Sequence, residues 1–523
     1  MHRADLKVSP PDRQLIDSLC EPAAFDHPVT STELIETHIS WVILTDEYAY
    51  KIKKPLSLGF LDFSDLERRK FFCEEEIRLN KPSAPDIYLD VVPISNGAQP
   101  RFGGDGPVVE YAVRMRRFDQ DLRLDVQLGA NKLSRADMKE LGQVIAARHE
   151  AAARVASSRR DHQLKITREF IWENFTWLEG ILDSEQLAPL SAWTKQELED
   201  VDALLGERFD AGFVRDCHGD LHLGNLVRLP SGITTFDCIE FNTDLRNSDV
   251  ICDIAFLVMD LVARGRHDLA ACFLNRYLER TGDYEGVALL DLYFVYRCLV
   301  RAKVAAISSK ECTDDITRES QLGEVQRYCD MAERQANKSR PILIVMRGLS
   351  GSGKTWLSKQ LMAALPAIRV RSDIERKRLF GLGEQADSRS GVAQGIYSSA
   401  ADARVYGRLC DLARLLLASG HNAILDAAFL LQSERAAALR VARDCGCANV
   451  IVQVNAPRDT LRQRILNRAR TRQDASEASL AVLAHQQENS EPLSDEEQQH
   501  VIVCENTGNV DIAAIVRAVK ERG

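Results

Sequence analysis

Residues 218–225 read His-Gly-Asp-Leu-His-Leu-Gly-Asn (HGDLHLGN), and the rest of the chain is read outward from this octet. It sets a carboxylate, Asp220, and a carboxamide, Asn225, five residues apart in one tight loop. Those groups suit phosphoryl transfer. The carboxylate can orient or accept the proton of an attacking hydroxyl. The amide can hold a Mg²⁺ through a neutral oxygen, adding no second negative charge beside the base. His, Gly, Asp and Asn are also ordinary turn formers, so the octet gains weight only from partners elsewhere in the chain.

At 523 residues the chain is too long for one core, and two or three domains are expected. A hydrophobic share of 45% with 28% charged residues is that of a soluble globular protein. The net charge of -10 argues against a constitutive nucleic-acid coat, although a local basic groove stays compatible with it. The thirteen cysteines are scattered without a CxxC pair, which predicts reduced thiols and no zinc or disulfide framework. The start, MHRADLKVSPPDRQ, lacks the apolar segment of a secretory signal. No apolar run approaches the ~18 residues of a membrane span, so a cytoplasmic protein without a membrane partner is expected.

Residues 1–35 read as a helical lead-in. From 36 the pattern changes: THISWVILTDEYAYKIKKP has apolar arms on either side of the turn signal Thr45-Asp46-Glu47, a hairpin. Alternation puts Lys51 and Lys53 on one face of its second arm and Tyr50 and Ile52 on the other. The segment SDLERRKFFCEEEIRLNKP predicts a helix capped by Ser64 or Asp65, with Pro82 shortly after its end. IYLDVVPI and VVEYAVRMRRF are further strands, and residues 133–215 are helical in pattern. ITTFDCIEFN is a short β run with Asp237 at its centre, and SDVICDIAFLVMDLVARG an apolar helix carrying Asp249 and Asp253. Helices run on to about 330, and the polar stretch 331–340 reads as a linker.

With its HGDxxxxN loop, the region 36–330 resembles the aminoglycoside phosphotransferase and choline kinase-like branch of the protein-kinase fold. Gly219 stands in place of the Arg of the kinase H-R-D-x-x-x-x-N loop. The resemblance implies that Lys51 binds nucleotide phosphates and that Glu76 holds it in place, with Lys53 and Glu75 as the fallback pair. It implies Asp220 as catalytic base, Asn225 and Asp237 as Mg²⁺ ligands, and Glu240 as a further acid in the site. Met115 falls where that family joins its lobes beside the adenine, and the first acid of the apolar helix, Asp249, falls where the family braces its catalytic loop. Two departures stand out. No glycine lies between residues 25 and 45, so a G-x-G-x-x-G phosphate flap is absent, and Cys238-Ile239 replaces the Phe-Gly that follows the metal aspartate in protein kinases.

Residues 341–523 carry a second phosphate motif. PILIVMRGLSGSGKTWLSKQLM runs an apolar strand into Gly348-Leu-Ser350-Gly351-Ser352-Gly353-Lys354-Thr355 and then an amphipathic helix. That matches G-x-x-x-x-G-K-[ST] in its required strand–loop–helix setting. Backbone N–H groups of the loop cradle phosphates, Lys354 reaches the β/γ-phosphates and Thr355 ligates Mg²⁺. GHNAILDAAF ends a further strand at Asp426, a Walker B-like acid, and NVIVQVNAP continues a doubly wound parallel sheet. IRVRSDIERKRLF and RDTLRQRILNRARTRQDASEA resemble the polynucleotide kinase, gluconate kinase and zeta-toxin-like group. That likeness implies Asp373 as base, Arg376 as a contact to the acceptor, and Arg464 and Arg468 on a lid over ATP.

The tandem resembles bacterial fusions of an aminoglycoside phosphotransferase-like domain with a P-loop kinase domain. It implies an α/β and α+β protein of two domains using ATP and Mg²⁺, each domain transferring a γ-phosphoryl group to a hydroxyl of a small-molecule acceptor. Two other readings compete. In one, the second half is a nucleic-acid 5′-hydroxyl kinase with the first as accessory; in the other, the first half senses nucleotide without turnover. None of these motifs bears on oligomeric state.

Overall fold

The computed structural model describes residues 13–58, 61–97, 99–312, 314–388, 390–391, 393–471, 477 and 479–522. They group into two compact units. The first comprises Met1–Leu133, Ala147–Phe170 and Leu204–Leu257; the second comprises Ser134–Ala146, Ile171–Ala203 and Val258–Gly523. Among the described residues no helix is long and apolar enough to cross a membrane.

The first unit opens with helix α1 (Arg13–Leu19) and strand β1 (Glu33–Glu36). Strands β2 (Ser40–Leu44) and β3 (Tyr48–Lys53) form the expected hairpin around Thr45–Glu47. Helix α2 (Leu66–Asn80) follows, capped by Asp65, whose carboxylate accepts the Arg68 N–H at 2.8 Å. Then come β4 (Tyr88–Asn96), β5 (Pro100–Phe102) and β6 (Val108–Arg116). The sheet is antiparallel, in the order β1-β2-β3-β6-β4-β5. Strand alternation divides β3: Tyr50 and Ile52 join a core with Trp41, Ile43 and Phe102, while Lys51 and Lys53 face the other way. Ile16 and Leu19 of α1 cover that core. The stretch expected to be a helical lead-in therefore already holds a strand from Glu33, because backbone pairing with β2 outweighs local propensity.

The octet 218–225 lies between two short strand pairs. Strand β7 (Val214–Asp216) precedes it; β8 (Leu226–Leu229) and β9 (Gly232–Thr235) form a hairpin directly after it. Strand β10 (Asn247–Asp249) returns to pair with β7 and feeds helix α3 (Val250–Ala263).

In the second unit, helix α4 (His267–Thr281) precedes a hairpin of two helices, Leu290–Glu311 and Asp315–Ala336. Residues 331–336, read as linker, thus complete a helix. Val325, Tyr328, Cys329 and Ala332 form a buried stripe at helical spacing, which the polar tail of the segment conceals. Strands β11 (Ile342–Arg347), β12 (Ala367–Arg371), β13 (Asn422–Asp426), β14 (Ala448–Asn455) and β15 (Val501–Glu505) make a parallel sheet ordered β12-β13-β11-β14-β15. The central β11 is buried over Ile342–Met346, as an apolar run covered on both faces should be.

Strand β12 is an edge, and an uncovered edge invites pairing with other chains. Here one side chain from α4 completes it. Asn275 donates from Nδ2 to the Ala367 carbonyl at 2.9 Å and accepts the Arg369 N–H on Oδ1 at 2.6 Å. Asn275→Ala would strand both backbone groups in a buried setting. It is expected to cost about 2–4 kcal/mol and to lower the calorimetric midpoint of the second unit by about 3–5 °C. An unchanged midpoint would mean that the edge does not depend on this amide.

Candidate functional site

In the first unit, the two lysines of β3 converge on one buried carboxylate. Lys51 Nζ lies 2.9 Å from Glu76 Oε1 and 2.6 Å from Asp237 Oδ1. Lys53 Nζ lies 2.9 Å from Glu76 Oε2 and also pairs with Glu240. Burial pushes the Glu76 carboxyl up, but Lys51 and Lys53 outweigh it and hold it at about 2. Lys51 is opposed by burial and raised by Asp237 and Glu76, so it stays charged. Two ammonium groups thus face three carboxyls, of which Glu240 is pushed up by burial against the pull of Lys53. Glu75, the fallback partner, points away and pairs with Arg78 at 2.8 Å. Met115 packs, partly buried, beside Cys73, Ile87 and Tyr88.

The hairpin β8–β9 sets the spacing between the octet and Asp237. Its register brings the Phe236 N–H to the Asn225 carbonyl at 3.0 Å, so Asp237 follows directly after the pairing. Asp237 adopts φ 59, an unusual left-handed backbone for a residue with a side chain, and its N–H donates to Tyr88 Oη at 3.0 Å. Asn225 Nδ2 donates to Asp220 Oδ2 at 2.9 Å and to the Asp220 carbonyl at 3.0 Å. With its nitrogen engaged, the amide offers its oxygen to a metal. His222 Nδ1 accepts the Gly224 N–H at 3.1 Å, so its proton sits on Nε2, 3.3 Å from Asp220 Oδ2.

Asp253, not Asp249, braces this loop. Its carboxylate accepts the Gly219 N–H at 2.8 Å and the His218 N–H at 3.2 Å, with His149 Nε2 at 3.1 Å. Asp249 instead ends β10 and holds Arg208 in a buried two-pronged pair at 2.7 and 2.9 Å. Both acids sit near one helix start, and the sequence does not show which of them faces the octet. Lys53 is a second residue that sequence reasoning ranked too low, although its face shared with Lys51 was the available signal.

In the second unit the glycine loop follows β11 and opens helix α5 (Lys354–Ala364). Gly351, at φ 85, has no room for a side chain: a Cβ there would stand 2.7 Å from the Leu461 carbonyl oxygen. Gly353, at φ 96, caps α5 and packs against Asn506. Thr355 Oγ1 lies 3.3 Å from Asp426 Oδ1, and Ser358 Oγ lies 2.9 Å from Asp426 Oδ2. The Ser350 N–H donates to Gln486 Oε1 at 2.8 Å. Helix α6 (Ser372–Leu379) carries Asp373 and Arg376. Asp373, Arg376, Lys354, Thr355 and Asp426 all line one cavity of about 510 Å³. Arg376 is already engaged, with Asp402 Oδ1 at 2.7 Å, the Ile396 carbonyl at 2.7 Å and the Tyr397 ring beneath it.

Helix α7 (Arg458–Thr471) carries Arg464, which binds the backbone of the loop and is not among the residues lining the cavity, where a lid over ATP was expected. It donates to the Gly351 carbonyl at 3.3 Å and the Ser352 carbonyl at 3.1 Å, beside Asn506. The side chain of Arg468 lies outside the described residues. Asn506 was missed, although its place just after β15, at the carboxyl end of a parallel strand, is where such sheets put functional groups.

Two unrelated phosphate-binding folds in one chain define a tandem of kinase-like phosphotransferase domains. The phosphotransferase enzyme family model matches residues 123–290, and an AAA domain model matches residues 343–493. An uncharacterized protein of Mycobacterium tuberculosis is 30% identical over 468 residues, 88% of this chain and 92% of that protein. A Mycobacterium bovis protein matches with the same figures, 30% over 468 residues. The chain belongs to the family of these mycobacterial proteins. Among solved structures, a choline kinase from Cryptosporidium parvum is 11% identical and covers 62% of this chain and 98% of its own, with a TM-score of 0.38. A gluconokinase from Sinorhizobium meliloti is 19% identical and covers 35% of this chain and 91% of its own, with a TM-score of 0.25.

His218 gives the loop a pH dependence. Its Nδ1 accepts the Asp220 N–H at 3.3 Å and its Nε2 donates to the Phe236 carbonyl at 2.9 Å, which fixes a neutral tautomer. Burial first, then Arg148, lowers its pKa from 6.5 to about 4. The unfolded chain therefore binds a proton that the folded chain refuses, and stability falls as pH drops from 6.5 toward 4. This one group contributes a loss of about 3 kcal/mol across that window. His218→Gln, which keeps a donor near Phe236, is expected to flatten the urea-midpoint profile between those pH values. A slope equal to that of the wild type would assign the acid lability elsewhere.

Proposed function

We propose that the chain is an ATP- and Mg²⁺-dependent phosphotransferase of the cytoplasm with two nucleotide sites, each passing the γ-phosphoryl group to a hydroxyl of a small-molecule acceptor. The observation that carries this reading is the single cavity shared by Lys354, Thr355, Asp426 and Asp373. A phosphate cation, two metal-type oxygens and a candidate base then face one space, as in-line transfer requires.

The residues fit the nucleotide and the metal. Gly351 lets the loop pack directly on the backbone of α7 at Leu461, and the N–H groups at the start of α5 suit phosphate oxygens. Thr355 and Asp426 in one unit, and Asn225 and Asp237 in the other, are hard oxygen donors in the small number Mg²⁺ takes beside phosphate. Bound Mg²⁺ would neutralise the phosphate oxygens. Lys354 spreads the remaining charge, and Arg464 keeps the loop in shape by holding its carbonyls. Asp373 takes the acceptor's proton as the acceptor oxygen bonds to the γ-phosphorus and the β,γ-bridging P–O bond of ATP breaks, with ADP leaving. In the first unit Asp220 takes the same part, oriented by Asn225, while Lys51 exchanges Asp237 for phosphate oxygens and keeps Glu76.

A small acceptor suits the cavity better than a nucleic-acid end. Asp402, Glu434 and Glu477 also line it, and burial raises the Asp402 and Glu434 carboxyls. Such carboxyls offer hydrogen bonds to the hydroxyls of a polar neutral molecule.

Incubating a metabolite extract with labelled ATP separates the two sites. Asp220→Asn and Lys354→Ala are each expected to remove a different labelled product, with turnover of the affected one down about 10²–10⁴-fold. Loss of one common product from both variants would leave a single active site, and persistence of all products in both would dismiss the reading.

A further inference from the structure

Arg369 is buried in β12 between two carboxylates of different origin. On one side Nη2 donates to Glu279 Oε1 at 2.7 Å. On the other, Nη1 lies 3.2 Å from Ser358 Oγ, 3.4 Å from the Thr355 carbonyl and 3.6 Å from Asp426 Oδ2. Glu279 belongs to α4, which falls inside the residues 123–290 matched by the phosphotransferase model, whereas Thr355, Ser358 and Asp426 belong to the P-loop sheet. Glu279 is almost without exposed surface, and burial opposes its charge. Arg369 and then Arg371 overcome that and hold the carboxyl below its usual range, so it stays ionised.

We infer that Glu279 is a positioning residue for the P-loop metal site, acting through Arg369 to leave Asp426 available to a divalent cation. The inference rests on the reading of Thr355 and Asp426 as that site. A guanidinium this close to Asp426 competes with a metal for the same carboxylate. Glu279 counters the competition by neutralising Arg369 and by anchoring its fork on the far nitrogen, so that Ser358 rather than Asp426 is its nearer neighbour on the loop side. Glutamine at 279 keeps the shape and removes the charge. The freed guanidinium then closes on Asp426, and the metal has to displace it.

The test is equilibrium binding of a β,γ-imido ATP analogue to the full chain at stepped Mg²⁺ concentrations. The Lys354-dependent share is defined by subtracting Lys354→Ala. Glu279→Gln is expected to raise the Mg²⁺ concentration for half-saturation of that share about 10- to 100-fold. Glu279→Asp, which keeps the charge, is expected to raise it less. Glu279→Gln combined with Arg369→Gln removes both the competitor and its counter-charge, and is expected to return half-saturation to within about threefold of wild type. A merely structural role for Glu279 would make the double variant worse than the single one. Unchanged Mg²⁺ dependence in Glu279→Gln, or no rescue in the double variant, overturns the inference while Lys354-dependent binding still supports the P-loop reading. Absence of any Lys354-dependent binding overturns both. If Glu279→Gln does not fold, the decision passes to Glu279→Asp and the double variant, where equal Mg²⁺ dependence in wild type and Glu279→Asp, together with a shifted double variant, counts against the inference.

Discussion

A charge removed from water must be matched inside the protein or given up, and both candidate sites are built around that constraint. Glu76 has no exposed surface, yet Lys51 and Lys53 keep it ionised from two sides. Lys53, equally buried, is matched in turn by Glu240. The consequence is positional. Lys51 cannot drift from Glu76 without leaving a buried carboxylate half-compensated, so its ammonium is held at the face where Asp237 meets it. Arg369 obeys the same rule in the second unit, between Glu279 and the Asp426 group. Ion pairs of this kind contribute little net stability. What they supply is a fixed location for charge, which electrostatic catalysis needs.

Much of this was legible in the sequence wherever the signal is local. Alternation along β3 put both lysines on the face opposite Tyr50 and Ile52, because strand geometry has a period of two. The glycine cradle was legible because its residues are consecutive and its strand–loop–helix setting can be read on either side. What escaped depends on contacts across the chain. Asp249 and Asp253 are four residues apart, and only the return of β10 onto β7 turns the first to Arg208 and leaves the second for the His218 and Gly219 amides. Asn275 and Glu279 lie some ninety residues before the strand they serve, with nothing in their own neighbourhood to announce it. Residues 331–336 escaped as helix for the opposite reason. The buried stripe begins upstream, at Val325, and only Met331 and Ala332 of it fall within the polar stretch.

The absent glycine flap follows from the same geometry. Strands β1 and β2 are joined by the short turn 37–39, closed by the Thr37 N–H on the Ser40 carbonyl at 2.9 Å. A turn that tight has no slack to fold over a triphosphate. On the proposed reading, the burden of holding phosphate in the first unit would fall on Lys51 and on a metal at Asn225 and Asp237. Such a site should depend more steeply on its metal than one with a backbone flap, because fewer N–H groups share the charge.

Joining two kinase-like folds in one chain also has a physical consequence inside the second unit. The sheet that bears the glycine loop has an open edge at β12, and Asn275 of α4 fills it. One turn further along α4, Glu279 reaches the guanidinium beside Asp426. A helix recruited to cover an edge thus also brings a carboxylate to the guanidinium behind the candidate metal site. Because that carboxylate balances the buried guanidinium of Arg369, the helix can no longer be exchanged for any apolar cover. A chain with the P-loop fold but without α4 would face an unpaired strand and an uncompensated cation together. The two defects share one cause, so the edge and the metal site should fail or survive as a pair.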